Sequence, residues 1–431
     1  MVLAAGLLIL GGRRAEAAQS TAPSLSLDER IILVQPTGGE REDRDIVLWQ
    51  NRIEASQKAG QPSPGNYERL GWAYISKARR TLDAGYYKLA EKTADVMDAR
   101  FGSTDEALLL RGHVDHNLHR FHEAEAAART LIARRGIAFD YALLSDALME
   151  QGRLTESVAA CQKMMELRPG LDAYSRAANL RWLTGDLPGA IQAMEAAVRA
   201  GSPLDATNTA WTLTRLSQYY LQAGRAADAL AVADSAAHSV PDYPPALLAR
   251  GRALLALGHA DQAIAPIERA ERLNPLPEYQ WWLADTLRAG GQPAGAAAVE
   301  EALENRGEAS DPRTYSLFLS TRGQNSGEAL RLARAELANR GDVFTEDALA
   351  WALASSGDYA AAQSAIHAAL SAHTKDARIF LHAGEIAMNL GEPGPAAAYF
   401  GEAAKFSATL TPSEKALLDR RLKSDPPTKS S

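Results

Sequence analysis

The chain has one cysteine, Cys161, in 431 residues, so no intrachain disulfide can staple its fold and the redox compartment stays open. Aromatic residues make up only 6%. Basic residues are not in excess either: the formal net charge is -7 and the pI near 5.8. No basic face rises above that acidic background, which argues against nucleic acid as a partner. No segment beyond the N-terminus carries eighteen uncharged apolar residues in a row, so no membrane span is expected. The signatures GxxxxGKS, GxxxxGKT, GxGxxG, GxSxG and CxxC are missing too, which removes the commonest phosphate-binding and nucleophilic motifs.

What the chain does have is alanine. Hydrophobic residues reach 46% and charged ones 23%, as in ordinary folded proteins. Alanine is the best helix former and lets helices approach closely, so this composition points to an all-α fold. The N-terminus, MVLAAGLLILGGRRAEAAQS, places an apolar run (Val2 to Leu10) ahead of an A-x-A cleavage pattern, Ala15-Glu16-Ala17. Residues 1–18 read as a secretory signal and predict a periplasmic or secreted protein, a cytoplasmic one being the alternative. The run lacks a preceding positive charge, and Arg13 and Arg14 follow it.

Small residues recur at Ala90, Ala124, Ser157, Ala190, Ala229, Ala263, Ala297, Ala329, Ala362 and Ala396, with gaps of 32 to 39 residues. Glycine turns precede most of them, as in Gly152-Arg153-Leu154 and Gly357-Asp358-Tyr359. Prolines follow twelve residues after three of them, at Pro169, Pro241 and Pro275. Each unit therefore reads as helix, glycine turn, second helix, proline stop. The unit LLARGRALLALGHADQAIAPIERAERLNP, Leu247 to Pro275, resembles the tetratricopeptide repeat at several offsets at once. Gly251 takes the small contact position, Gly258 the turn and Ala263 the close-approach position of the second helix. The resemblance implies an all-α, right-handed superhelical solenoid of about ten helix-turn-helix units over residues 64–405, with a C-terminal capping helix. One hairpin cannot bury its apolar face alone, so the units must stack.

The flanks complete that picture. Residues 19–44 are polar and expected to be flexible apart from Ile31 to Val34, and an N-terminal helix is expected within 45–63. TPSEKALLDRRL, Thr411 to Leu422, carries a capping box (Thr411 with Glu414) and Pro412 at the first helical position, so 406–422 should form the capping segment. The tail, 423–431, is disordered by composition.

The resemblance also implies which side chains face the concave groove: those one and four residues after the small contact position of each first helix. They include Trp72, His113, His116, Asp146, Asn179, Trp182, Gln218, Arg252 and Trp351, joined by Tyr279 and Trp282. The eighth unit is too degenerate to place. Tryptophan among orienting polar groups is the composition of a binding surface. The family's clamp for an acidic peptide C-terminus needs several basic groove positions, and only Arg252 is basic there.

One stretch suggests other chemistry. GHVDHNLHRFHEAE, Gly112 to Glu125, holds four of the nine histidines: His113, His116, His119 and His122. In the repeat register only His113 and His116 face the groove, with Asp146 a conceivable third ligand. A metal-binding or metal-sensing array is thus one alternative function, although zinc usually takes three or four protein ligands. His122-Glu123 fails as a zincin motif because Ala126 stands where HExxH needs its second histidine. Cys161 reads as a small hydrophobe and Glu300-Glu301 as a solvated face, so a repeat-bearing hydrolase is a weaker alternative still. RFHEAEAAARTLIARRGIAFDYALLSDALMEQGR, LPEYQWWLADTLRAGG and DALAWALASSGDYAAA resemble exported bacterial tetratricopeptide proteins. Together these readings predict a non-catalytic scaffold of the bacterial cell envelope that holds a protein or peptide in its groove, with no cofactor and no metal. The partner's identity and the oligomeric state are left open.

Overall fold

The computed structural model describes residues 25–202 and 204–423. The signal segment and the tail from residue 424 lie outside them. Two helices, α1 (Leu27–Ile32) and α2 (Arg41–Lys58), precede ten helical hairpins. Hairpins 1 to 5 pair α3 (Pro64–Thr81) with α4 (Gly85–Phe101), α5 (Asp105–Asn117) with α6 (Phe121–Arg134), α7 (Ala138–Glu150) with α8 (Leu154–Leu167), α9 (Leu171–Leu183) with α10 (Leu187–Ala200), and α11 (Ala206–Gln222) with α12 (Ala226–Ser239). Hairpins 6 to 10 pair α13 (Pro244–Ala256) with α14 (Ala260–Leu273), α15 (Pro277–Ala289) with α16 (Pro293–Ser310), α17 (Pro312–Arg322) with α18 (Ser326–Leu337), α19 (Val343–Ser355) with α20 (Tyr359–Leu370), and α21 (Ala377–Asn389) with α22 (Pro393–Lys405). A 3-10 turn, Ser407–Thr409, and α23 (Pro412–Lys423) follow. No strand occurs among the described residues. The result is the expected all-α right-handed superhelix with its capping helix.

The hairpins close through small residues. Ala90, Ala124, Ser157, Ala190, Ala229, Ala263, Ala329, Ala362 and Ala396 are each fully buried where the second helix meets the first. Opposite them the first helix carries a residue no larger than its partner can tolerate. A Cβ added at Gly251 would lie 2.3 Å from Ile267 Cγ1 and 3.3 Å from the Ala263 carbonyl oxygen. Where serine replaces glycine, its hydroxyl bonds across the contact. Ser217 Oγ donates to the Ala229 carbonyl (2.8 Å), Ser316 Oγ to that of Ala329 (2.7 Å), and Ser145 Oγ to that of Ser157 (3.0 Å). Ser316 thereby sets the register of hairpin 8, which the sequence pattern alone leaves unplaced.

Two expectations are corrected. In hairpin 7 the close-approach residue is Ala296, fully buried, and Ala297 is exposed. A one-residue shift rotates a helix side chain by about 100°, so the two positions cannot share the role. Residues 25–44 are more ordered than their polar composition suggests. Ser26 and Glu29 form a capping box for α1, and Ile32 is fully buried. Its carbonyl accepts from Gln50 Nε2 (3.0 Å) and Tyr74 Oη (2.7 Å), and a buried Lys77–Asp43 ion pair at 2.9 Å ties α2 to α3.

The superhelix also closes on itself. The turns of hairpins 3 and 4 abut the loops that enter hairpins 9 and 10. Thr374 Oγ1 donates to the Leu183 carbonyl (2.6 Å), and Gln222 Nε2 donates to the Lys375 carbonyl (2.9 Å). Arg340 Nε reaches Glu150 at 2.7 Å. Farther along, Ser413 bonds Asp285, bringing α23 onto α15. The first helices of hairpins 4 to 7 thus face the C-terminal hairpins and the cap.

Gly152 separates this closure from ordinary turn geometry. Its φ is +75°, and a Cβ there would sit 2.2 Å from the Gly341 carbonyl oxygen. Gly258 has φ +82° with nothing within 4 Å. Gly258→Ala should cost about 1 kcal/mol, the left-handed penalty alone. Gly152→Ala should cost roughly 1–3 kcal/mol more, since backbone rather than a mobile side chain is in the way. Urea unfolding of the two variants checks this, and equal losses would show that the seam contributes nothing.

Candidate functional site: the inner surface

The groove positions form three groups along the inner surface. At the N-terminal end Trp72, half-buried, packs edge-on against His113, with ring centroids 5.0 Å apart. His113 is 8% exposed, and burial, aided by the Arg79 and Arg176 charges, pushes its pKa down to about 3. Burial lowers His116 as well, and its Nε2 has no hydrogen-bond partner. His116 and His119 both contact the Phe121 ring, and His119 occupies the left-handed turn position at φ +59°. His122 is exposed on the start of α6. Asp146, the conceivable third metal ligand, is held by Arg176 through two bonds of 2.8 and 2.7 Å. Among the described residues no group of three or more His, Cys, Asp or Glu side chains is gathered for a metal ion.

The middle group surrounds a cavity of about 410 Å³ between the two facing runs of first helices. Trp182 stacks on Phe344 across the closure, with centroids 5.4 Å apart. Asn179 accepts from Arg215 Nη2 (2.7 Å) and Gln218 accepts from Arg215 Nη1 (2.8 Å). Trp282 lies beneath the Arg252 guanidinium at 4.8 Å. Tyr279 and Trp282 are each only 4% exposed, so these two groove positions are packing residues as well as lining ones. Trp351 forms the third group: it stacks on His382 at 4.2 Å and donates from Nε1 to Thr321 Oγ1 (3.0 Å). His382 Nδ1 is in turn 2.8 Å from the buried Asp347 Oδ1.

The groove rule missed four further arginines on the cavity wall: Arg215, Arg313, Arg340 and Arg378. Arg215 stands three residues before Gln218, on the same helix face, and that spacing was the available signal. Arg340 lies in a loop and carries no such signal. The lone thiol, Cys161, is buried in α8, and burial pushes its pKa up to about 11, far from that of a nucleophile.

A second cleft, about 520 Å³, lies on the inner face of hairpin 1. Trp72, Ser76, Arg79 and Arg80 form one wall, and Leu204 to Asn208 together with Glu42 and Asp45 line the rest. Arg41 Nη1 donates to the Leu204 carbonyl at its edge (2.6 Å).

An array of stacked two-helix hairpins closed by small residues is a helical-repeat solenoid. The family model for the tetratricopeptide repeat matches residues 109–172, 248–312 and 348–411, which are thereby tetratricopeptide repeats. No curated protein matches it. Similar solved structures include a thermophilic tetratricopeptide-repeat protein of Thermus thermophilus (21% identity, 45% of this chain and 99% of that one, TM-score 0.38). Yeast Tom70 is 12% identical over 90% of this chain and 98% of its own, with a TM-score of 0.37. Human IFIT1, solved as a dimer with m7Gppp-AAAA, is 13% identical over 84% of this chain and 76% of its own, with a TM-score of 0.45. Tetratricopeptide arrays generally serve as protein-interaction scaffolds.

The buried imidazoles set a pH dependence. His113 and His116 stay neutral in the fold, whereas unfolding frees them to protonate below the ordinary value of about 6.5. The unfolded state then holds the extra protons, so stability falls as pH drops from about 6.5 towards 3, where folded His113 also protonates. Each histidine contributes about 1.4 kcal/mol per pH unit at most. His113→Gln should make urea-unfolding stability shallower in pH between those limits; an unchanged slope rejects the buried, neutral state.

Proposed function

We propose that the chain is a non-catalytic scaffold of the bacterial cell envelope that binds a protein or peptide on its inner surface. The observation that carries this reading is the cleft beside Trp72. The C-terminal hairpins cover the inner face of hairpins 4 to 7, while the face of hairpin 1 keeps a cleft of about 520 Å³. An indole floor flanked by Arg79 and Arg80, opposite Glu42 and Asp45, supplies an apolar anchor among charges of both signs. Such a surface suits an extended peptide better than a buried cofactor.

Ser76 is exposed on the cleft wall, so a larger side chain there fills the cleft without entering the core. Ser76→Tyr should keep the helical signal and thermal midpoint and weaken, several-fold, capture of a partner from envelope fractions. Capture at the wild-type level would remove the cleft from the binding surface.

The envelope assignment rests on the apolar run and on Ala15-Glu16-Ala17 in the sequence. Expressed in a bacterium with a C-terminal tag, the chain should appear in the periplasm or medium with a mature mass starting at Ala18. A full-length mass in the cytoplasm would reject export.

A further inference from the structure

The closed part of the inner surface is lined by five arginines and six carboxylates that are unevenly paired. Arg313 pairs with Asp342 (3.1 Å), Arg340 with Glu150 and Asp342 (2.5 and 2.9 Å), and Arg378 with Glu414 (2.5 Å). All but one of the wall's carboxylates are likewise engaged; Glu278, whose side chain is 48% exposed, has Arg252 at 3.9 Å as its nearest cation. Asp311 and Asp376 cap the starts of α17 and α21, and Asp347 faces His382. Two guanidinium groups remain without such partners. Arg215 bonds only neutral acceptors, Gln218, Asn179 and the Tyr219 hydroxyl, and no carboxylate of the described residues pairs with it. Arg252 reaches the Thr409 carbonyl at 3.4 Å, has Glu278 no nearer than 3.9 Å, and leaves Nε without an acceptor.

Both guanidiniums are partly buried, and a charge taken out of water with only neutral groups or a distant carboxylate beside it is poorly compensated. Burial pushes the Arg252 pKa down. It opposes Arg340 and Arg378 as well, but their carboxylate partners outweigh it and raise both. Two indole N–H groups on the same wall, Trp182 Nε1 and Trp281 Nε1, are also buried with no acceptor. The wall thus has donors in excess of acceptors around Arg215 and Arg252. Both guanidiniums lie over rings, Arg215 over Trp182 and Tyr219 and Arg252 over Trp282, which fixes their planes and leaves their edges for a ligand.

We propose that the cavity of about 410 Å³ binds a small organic anion, a carboxylate or phosphate monoester on a flat apolar body, with Arg215 and Arg252 as its charge partners and Trp182 and Phe344 as its apolar wall. The volume falls at the lower end of small-molecule sites. This inference is independent of the cleft at hairpin 1 and of any protein partner.

Calorimetric titration of the full chain with phenyl phosphate, benzoate and neutral benzamide tests it. Phenyl phosphate or benzoate should give saturable binding, and which of the two binds tighter identifies the head group. Benzamide should bind at least tenfold more weakly. The R215Q/R252Q double variant should lose at least tenfold in affinity for the anion. Met149→Trp, which narrows the cavity while keeping both guanidiniums in the chain, should lose binding as well, so the outcome does not depend on the double variant folding. No saturable binding of either anion at millimolar concentration, equal binding of benzamide, or undiminished binding by the folded variants would overturn the proposal.

Discussion

The whole architecture depends on how closely two helices can approach at one position per hairpin. At that position the second helix offers alanine or serine with no exposed surface, and the first offers glycine, alanine, serine or a residue of similar reach. Bulk there would drive the helices apart, and because every hairpin stacks on the next, the error would propagate along the array. The three serine contacts add direction to closeness. A hydroxyl on the first helix bonds a carbonyl of the second, so rotation of one helix against the other is fixed as well as separation. Net stabilisation of about 1 kcal/mol per bond matters less than this registry.

Registry in each hairpin decides where the inner surface goes, and here it turns back upon itself. Contacts between positions 183 and 374, 150 and 340, and 285 and 413 are made by polar groups. Within hairpins the contacts are continuous apolar packing. Trp182 on Phe344 is the main apolar contact across the seam near the cavity. Closure converts groove positions into lumen positions: Trp282 and Tyr279 become wall and core together, while Trp72, beyond the covered stretch, stays at the side of a cleft.

Local features were legible in the sequence and distant ones were not. The repeat, the glycine turns and the α23 capping box rest on offsets of a few to some thirty residues. The structure shows Thr411 N–H donating to Glu414 at 2.9 Å. Ala296 was misread as Ala297 because GAAAV offers consecutive alanines of equal size, and only the partner helix distinguishes them. The docking of α1 was hidden because its polar residues serve as caps and partners: Glu29 binds Ser26 and Arg100, and Gln50 receives the chain at Ile32 and Val34. The inner face of each first helix was identified from the family pattern, but what lies opposite that face has no local trace. Arg340 enters the lumen only because a loop 190 residues from Glu150 comes back to it.

The same seam explains why a polar lumen is tolerable. A groove open to water could solvate Arg215 and Arg252 and would need no counter-charge. Once the C-terminal hairpins cover them they are partly buried, and the charges are held by rings, amides and a carbonyl. Such an arrangement is less stable than an apolar lumen of the same volume. The seam that creates it combines polar contacts with an apolar cluster in which Leu183 and Trp182 meet Val343, Phe344 and Ile379. Opening it relieves the buried charges at the same moment that it breaks Thr374–Leu183 and Arg340–Glu150, so the two terms oppose each other. The proposed anion would reduce the first term and leave the second. Were the proposed anion bound, its occupancy would therefore favour the closed superhelix over an open one.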